Sequence, residues 1–501
     1  MQSSGQPDVI VVGSGNAAFS AALSAREQGA TVLMLEKAPR QWIGGNSWFT
    51  AGAFRLTHDG LEDVSGLVEV ADGRVELPPY TVADYHADMR RVTEDECDPE
   101  LTDVLIREAR AAANWMRTKG IRWRLMSERQ AHESGGHLRF WGGLAVGTVG
   151  GGEALIDAYA AAARAEGIEL RTDSPVTDLL VAGGAVVGVQ VTREGEPPQQ
   201  IHAGAVVLAS GGFEADATLR AKYLGDDWRR AYVRGSPYNT GEGLLAAVSA
   251  GAQPYGDWAG CHSIAWDAAA PLFGDRLVSN RYSRQGYPYG LVVNLRGERF
   301  VDEGADFRNY TYAKYGAKIL KQPEGTAFQV FDAKALGLLS TIDYSTADGS
   351  RTEASSIGEL AERAGIDRET FERTVRDYNA AASSTPFDPT ILDGKGTVGI
   401  EPPKSNWAQP LDAPPYVAYR VVCGITFTFG GLRISADAAV MNASGQPMAG
   451  LFAAGETVGG LFYHNYPGGS GLASGTVFGL RAGRSAAAHA KRTTPLAADI
   501  A

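Results

Sequence analysis

Apolar residues open the chain as a short unbroken run, Val9-Ile10-Val11-Val12, and a β-branched run of this kind predicts a strand buried on both faces. After Gly13-Ser14-Gly15, the alanine-rich stretch from Ala17 to Gln28 predicts a helix, which Gly29 stops. Thr31 to Leu35 predicts a second strand, ending at Glu36. Leu101, Val104, Leu105 and Ala109 recur at helical spacing, so Pro99 to Gly120 predicts an amphipathic helix, continued by Trp115 and Met116 as core residues. Leu179 to Thr192 alternates about Gly183-Gly184, a hairpin by its turn chemistry. Val206-Val207-Leu208 predicts another buried strand, turning at Ala209-Ser210-Gly211. Ile357 to Ala382 predicts helix, polar on one face. No stretch reaches the roughly 20 uninterrupted apolar residues of a membrane span. Met1 to Asp8 is polar and lacks a basic segment, so a cytoplasmic location is expected.

The first strand, glycines, helix and second strand follow one another in the order of a dinucleotide-binding βαβ unit, with Gly13-Ser14-Gly15-Asn16-Ala17-Ala18 as GxGxxA. Gly13 makes the tight turn, Gly15 lets a pyrophosphate approach the backbone, and Ala18 permits close helix–strand packing. Asn16 and Ala17 begin the helix, whose unpaired N–H groups and positive dipole end face the phosphates. Glu36 is placed to accept hydrogen bonds from ribose hydroxyls, and an acid there disfavours a 2′-phosphate.

Glycine is the compositional outlier, 62 of 501 residues, against a usual share of about 7%. Many fall in short runs, which favours a large cofactor enclosed by backbone loops. A net charge of −12 argues against nucleic acid and anionic membrane surfaces as partners. Cys97, Cys261 and Cys423 lie far apart, so no metal site or disulfide framework is expected.

Two further glycine-rich segments decide between dinucleotides. Gly44-Gly45-Asn46-Ser47 and Ala51-Gly52 form a glycine-rich polar loop. Near the other end, a strand closes on Ala454-Gly455-Glu456, and Tyr466-Pro467-Gly468-Gly469-Ser470-Gly471-Leu472 opens a helix. Glu456 suits ribityl hydroxyls, and a helix N-terminus at Ser470, Gly471 and Leu472 suits the negative charge of a reduced flavin. An NAD dehydrogenase has no use for this second end. With these motifs, and with Asn239-Thr240-Gly241-Glu242-Gly243 and Arg299-Phe300-Val301-Asp302-Glu303, the chain resembles the fumarate reductase/succinate dehydrogenase flavoprotein superfamily over nearly its whole length. Within it the closest likeness is to FAD-dependent tricarballylate dehydrogenases, through Cys261 to Asp267 and Gly424 to Gly431. The Tyr-Pro-Gly element at Tyr466 is similar to that of 3-ketosteroid dehydrogenases.

The resemblance implies an α/β fold: a discontinuous Rossmann-like FAD-binding domain, residues 1–256 and 426–501, with an inserted α+β capping domain, residues 257–425. Lys37, Val176 and Ala209-Ser210-Gly211 are expected to complete the cofactor wall. Asn46 stands where covalent members carry a flavin-linking histidine, implying non-covalent FAD. Hydride passes between flavin N5 and one carbon, and an arginine after the RF-V-x-E motif moves the proton at the next; here that arginine is Arg308. An arginine acts so only if a carboxylate helps it shed a proton, and Asp302, Glu303 and Asp306 are the candidates. His262 matches a histidine that binds substrate carboxylate in fumarate reductases, and Arg284 is a candidate carboxylate clamp. Phe427 and Tyr466 replace a second histidine and an arginine of fumarate reductases, so Tyr466 is read as polarising a carbonyl or binding a carboxylate, with His464 as a further polar contact.

The implied enzyme oxidises a CH–CH bond next to a carboxylate or carbonyl, or reduces the alkene. Its expected partners are a small anionic or carbonyl-bearing substrate and a separate electron acceptor. A tricarballylate-like organic acid is favoured. A cyclic or larger ketone is the alternative, and a flavin-binding redox relay without substrate chemistry is the reading from another class.

Overall fold

A six-stranded sheet carries the dinucleotide end, and it draws its strands from both ends of the chain. In the computed structural model, which describes residues 5–69, 74–344 and 349–493, the strand Val9–Val12 lies parallel between Val32–Leu35 and Ala205–Leu208. Ala205–Leu208 in turn pairs in parallel with Pro447–Ala453, and Glu169–Arg171 and Ala439–Met441 form the edges. Val9 to Val12 are buried on both faces, as the continuous apolar run requires. Each such fully buried aliphatic side chain contributes about 1.5–3 kcal/mol.

Two helices cover one face, and their packing brings the chain ends together. Asn16–Glu27 runs against Ser470–Thr493, with glycines on the second helix where the backbones are closest. A Cβ at Gly479 would stand 2.7 Å from the Ala17 carbonyl oxygen, and one at Gly483 would stand 2.2 Å from that of Ala21. The alanines facing these glycines complete the close approach.

The inserted region is built on one long strand, Tyr416–Thr428, which pairs with Cys261–Asp267, Thr326–Phe331 and Arg351–Ala354. Tyr232–Val233, from before residue 257, joins it in parallel. Its last residues, Thr426 to Thr428, reach the cofactor sheet's end of the molecule.

Pro99–Thr118 is the amphipathic helix expected there, with Leu101, Leu105, Ala109 and Met116 buried. The hairpin turns at Gly183 and Gly184, both with positive φ, between Val176–Ala182 and Ala185–Val191. Residues 357–382 differ: they form two helices, Ile357–Ala364 and Arg368–Ala381. Gly365 at φ +76 ends the first, and the Asp367 carboxylate caps the second, so the polar stripe spans a break. Cys97, Cys261 and Cys423 are buried and free. Among the described residues no helix is long and apolar enough to cross a membrane.

Candidate active site

One continuous cavity runs from the C-terminal ends of the cofactor strands to the inserted sheet. At its near end, Gly13 has φ +110 and a Cβ there would lie 2.4 Å from the Ala209 carbonyl oxygen, so only glycine fits the turn. Gly15 caps the helix Asn16–Glu27 without a side-chain bond, and Gly15, Asn16 and Ala17 all line the cavity. Glu36 and Lys37 line it too. Burial pushes the Glu36 carboxyl up, while the Ser14 hydroxyl donates to it at 2.5 Å and the Ala38 N–H at 2.7 Å. Lys37 pairs with Glu242 at 2.7 Å.

Farther in, the wall is made by Gly45, Asn46, Ser47 and Ala51 on one side and by Val176, Ala209, Ser210 and Gly211 on another. Gly455 and Glu456 close it, with Gly471 and Leu472 at the N-terminus of the helix Ser470–Thr493. Two helix N-termini thus open on one cavity, one beside the glycine turn and one beside the inserted sheet. This donor set fits a dinucleotide at the first end and an electron-rich ring at the second. Ala18, Gly44, Gly52 and Ser470 lie behind this surface. Ala18 is wholly buried in the helix–sheet contact. Gly44 and Gly52 hold loop turns at φ +104 and +82, and a Cβ on either would strike Ile156 or Thr148. The Ser470 hydroxyl bonds to Tyr85 at 2.8 Å.

Beyond these residues the cavity is lined by arginines, amides and tyrosines. Arg308 is 9% exposed; its Nη1 donates to Gln285 Oε1 at 2.5 Å and its Nη2 to the Arg129 carbonyl oxygen. Arg234, also 9% exposed, donates from Nη1 to Asn280 Oδ1 at 3.0 Å, and its Nε meets no partner among the described residues. Burial lowers the pKa of both guanidiniums. Arg129 is held differently, by Asp343 at 2.5 Å. The hydroxyls of Tyr312 and Tyr466 share a hydrogen bond of 2.5 Å, and burial raises both phenols, Tyr466 well above the usual tyrosine range.

Four expectations about this end meet a different geometry. Arg284 is no clamp: it is fully buried in the inserted sheet, donating to Asp267 at 2.8 and 2.9 Å, and it is not on the cavity wall. His262 lies behind the wall, stacked on Phe427 at 5.1 Å and edge-on to Tyr312 and Tyr466 at 5.0 Å. Burial and nearby Arg234 push its imidazole well below the usual histidine range, and among the described residues neither ring nitrogen has a hydrogen-bond partner. Arg308 reaches the cavity, but its supposed carboxylate partners are engaged elsewhere. Asp302 accepts from Ser405, Glu303 pairs with Arg299 and Asp306 with Arg91. His464 likewise points outward, to Glu96 at 2.8 Å.

The model of the FAD binding domain family matches residues 8–472. The chain belongs to the FAD-binding flavoproteins of the fumarate reductase superfamily. It is 29% identical over 485 residues to the NADH:fumarate oxidoreductase of Klebsiella pneumoniae, covering 97% of this chain and 48% of that protein, so it spans about half the relative's length. It is also 29% identical over 553 residues to the 4-oxocyclohexanecarboxylate 2-dehydrogenase of Sinomonas cyclohexanicum, covering 96% of this chain and 93% of that protein. Among solved structures it is similar to the open conformation of a flavocytochrome c3 fumarate reductase, at 27% identity and a TM-score of 0.72, over 97% of this chain and 79% of the other. The flavoprotein is thus an FAD-dependent oxidoreductase of the class acting on CH–CH bonds.

Sequence reasoning missed five residues that line this cavity: Arg129, Arg234, Asn280, Gln285 and Tyr312. Only Tyr312 carried a local signal, four residues after Arg308 on the same segment. Asn280 and Gln285 flank Arg284 on one segment, and Arg129 and Arg234 join them from separate elements only in the fold.

Proposed function

We propose that the flavoprotein dehydrogenates a CH–CH bond flanked by a carboxylate, or reduces the corresponding alkene, on an organic acid of the tricarballylate type. The observation that carries this is the way two buried guanidiniums are held at the cavity, Arg234 by Asn280 and Arg308 by Gln285. Among the described residues neither has a carboxylate within ion-pairing distance, whereas the charge of Arg129 is matched by Asp343. Amides fix a guanidinium without neutralising it, so charge remains for a substrate carboxylate, which it can bind bidentately.

Bound FAD supplies the two-electron step, accepting a hydride in dehydrogenation and returning one in reduction. The proton falls to Tyr312 and Tyr466. Their phenols stay protonated, so one can donate to the carbon next to the carboxylate in reduction, and the shared hydrogen bond moves a replacement proton between them. Arg234, whose charge acts on both phenols, stabilises the phenolate that reduction leaves behind, the same species that accepts the C–H proton in dehydrogenation. Acidification of the C–H by the adjacent carboxylate or carbonyl makes this single proton carrier sufficient. Asn46 fits non-covalent FAD: its amide is tied at both ends, to Glu214 at 2.6 Å and Thr426 O at 2.5 Å through Nδ2, and to the Ser236 N–H at 2.8 Å through Oδ1.

The tyrosine pair also favours a second reading, a cyclic ketone whose carbonyl it would polarise. A substrate carrying both groups would use the pair and the arginines at once, as the name of the Sinomonas relative combines them. The test is an anaerobic screen of the oxidised enzyme for flavin bleaching, with organic acids, keto acids and uncharged ketones. Bleaching by acids or keto acids supports the proposal; bleaching by uncharged ketones alone overturns it.

A further inference from the structure

At the cofactor wall two carboxyl groups come together, among the described residues without an ion-pairing cation. Glu214 follows Gly211-Gly212-Phe213 and is 0% exposed. Its Oε1 accepts from Asn46 Nδ2 at 2.6 Å and from Asn239 Nδ2 at 2.7 Å. Among the described residues its Oε2 has no hydrogen-bond donor, and the Glu456 carboxyl acts on this group through its charge and a side-chain hydrogen bond. Glu456 itself lines the cavity, and its Oε1 accepts from the Thr428 N–H at 2.7 Å and from the Thr428 hydroxyl at 3.2 Å. Gly212 permits this approach, since a Cβ there would lie 2.3 Å from Glu456 Oε1.

Two carboxylates in such contact repel, and a buried pair ionises only once near neutral pH. The other titratable groups facing the pair do not change this. Arg220 donates to the Glu214 backbone carbonyl at 2.6 Å and otherwise to the carbonyls of Trp228, Arg229 and Ala231, acting on the carboxyl only through space. The Cys261 thiol is buried and raised well above its usual range, hence uncharged. The Asn46 and Asn239 amides each donate to the same oxygen, leaving the other as the site of a proton.

We propose that Glu214 and Glu456 share a single proton and form a proton-dependent staple across the cofactor cavity. The staple joins four separate parts of the chain: the loop of Asn46, the turn of Asn239, the end of the long strand at Thr428, and the Gly455-Glu456 corner. Losing the proton places two negative charges in contact and loosens the wall that holds FAD. This rests on membership of the flavoprotein family and not on which acid is the substrate.

The sign of the pH dependence is set by both carboxyls being raised on folding. The native state holds a proton that the unfolded chain releases near the ordinary glutamate value of about 4.3. The stabilisation is therefore whole below that value and is lost as pH rises towards and through the folded value.

Glu214→Gln tests this, since a glutamine amide donates to Glu456 and accepts from both asparagines as the neutral acid does. The wild-type unfolding equilibrium of the FAD-loaded protein, from urea titrations at successive pH, should steepen by about one proton, roughly tenfold per pH unit, relative to E214Q. FAD release, followed by flavin fluorescence, should accelerate at alkaline pH in wild type and stay flat in E214Q. Equal slopes in the two proteins, or the same alkaline acceleration in both, overturns the proposal. A measurement on wild type alone covers failure of the variant to fold. Infrared spectra in H2O and D2O at neutral pH should show a protonated carboxylic acid resistant to exchange, and its absence sinks the staple.

Discussion

The wall of the cavity and the core of the inserted sheet both bury arginines, and they hold them in different ways. In the sheet, Arg284 sits on Asp267 at 2.8 Å and Arg299 on Glu303 at 2.5 Å, each charge cancelled by a carboxylate. At the cavity, Arg234 and Arg308 are about as deeply buried, yet they are fixed by Asn280 and Gln285. Burial alone therefore does not separate these two pairs of guanidiniums; the charge of the partner does. A paired buried arginine has its desolvation offset within the fold. An amide-held one awaits an anion.

Substitutions in the two sets of arginines, and in the groups beside them, test this distinction. Arg284→Ala should cost the most, about 3–5 kcal/mol of stability, because Asp267 is left buried and uncompensated. Urea denaturation measures it, and an unchanged midpoint would dissolve the contrast between the two sets. Next, Tyr466→Phe should lower turnover at least about 10²-fold while FAD binding persists, and Tyr312→Phe should do the same. Near-wild-type rates in both would remove the tyrosine pair from the proton step. Arg234→Ala should raise KM for an anionic substrate about tenfold or more, with a smaller stability cost than Arg284→Ala, since no ion pair is broken. Loss of stability with unchanged KM would place Arg234 with the structural set. Asn280→Ala should act in the same direction by up to about tenfold, as a lost hydrogen bond to a charged group of about 1.5 kcal/mol implies. Finally, acid precipitation should release all of the flavin, and colour kept in the pellet would refute the non-covalent reading of Asn46.

Much of the cofactor end was legible because its physics is local. A strand, a turn with φ +110 at Gly13, a helix N-terminus and an acid at the next strand's end are a continuous stretch of chain, each recognisable from neighbours. Gly479 and Gly483, spaced one helical turn apart, meet Ala17 and Ala21 only through the fold. The substrate end resisted. Arg284 and Arg234 look alike in sequence, polar residues in loops beside aromatics, and only the partner chosen in the fold distinguishes them. The helix break at Gly365 was similarly hidden, because the apolar stripe continues past the glycine that interrupts the backbone.

Residue order alone was enough for the dinucleotide turn, the second glycine loop, the type of cofactor and the family, since each rests on residues a few positions apart. Which charges are cancelled was left to the tertiary structure. Long-range contacts set Arg284 on Asp267, left Arg234 and Arg308 with amides, put His262 behind Phe427, and joined the hydroxyls of Tyr312 and Tyr466 across 154 positions. Electrostatic compensation depends on distance in space, and the order of residues along the chain does not carry it.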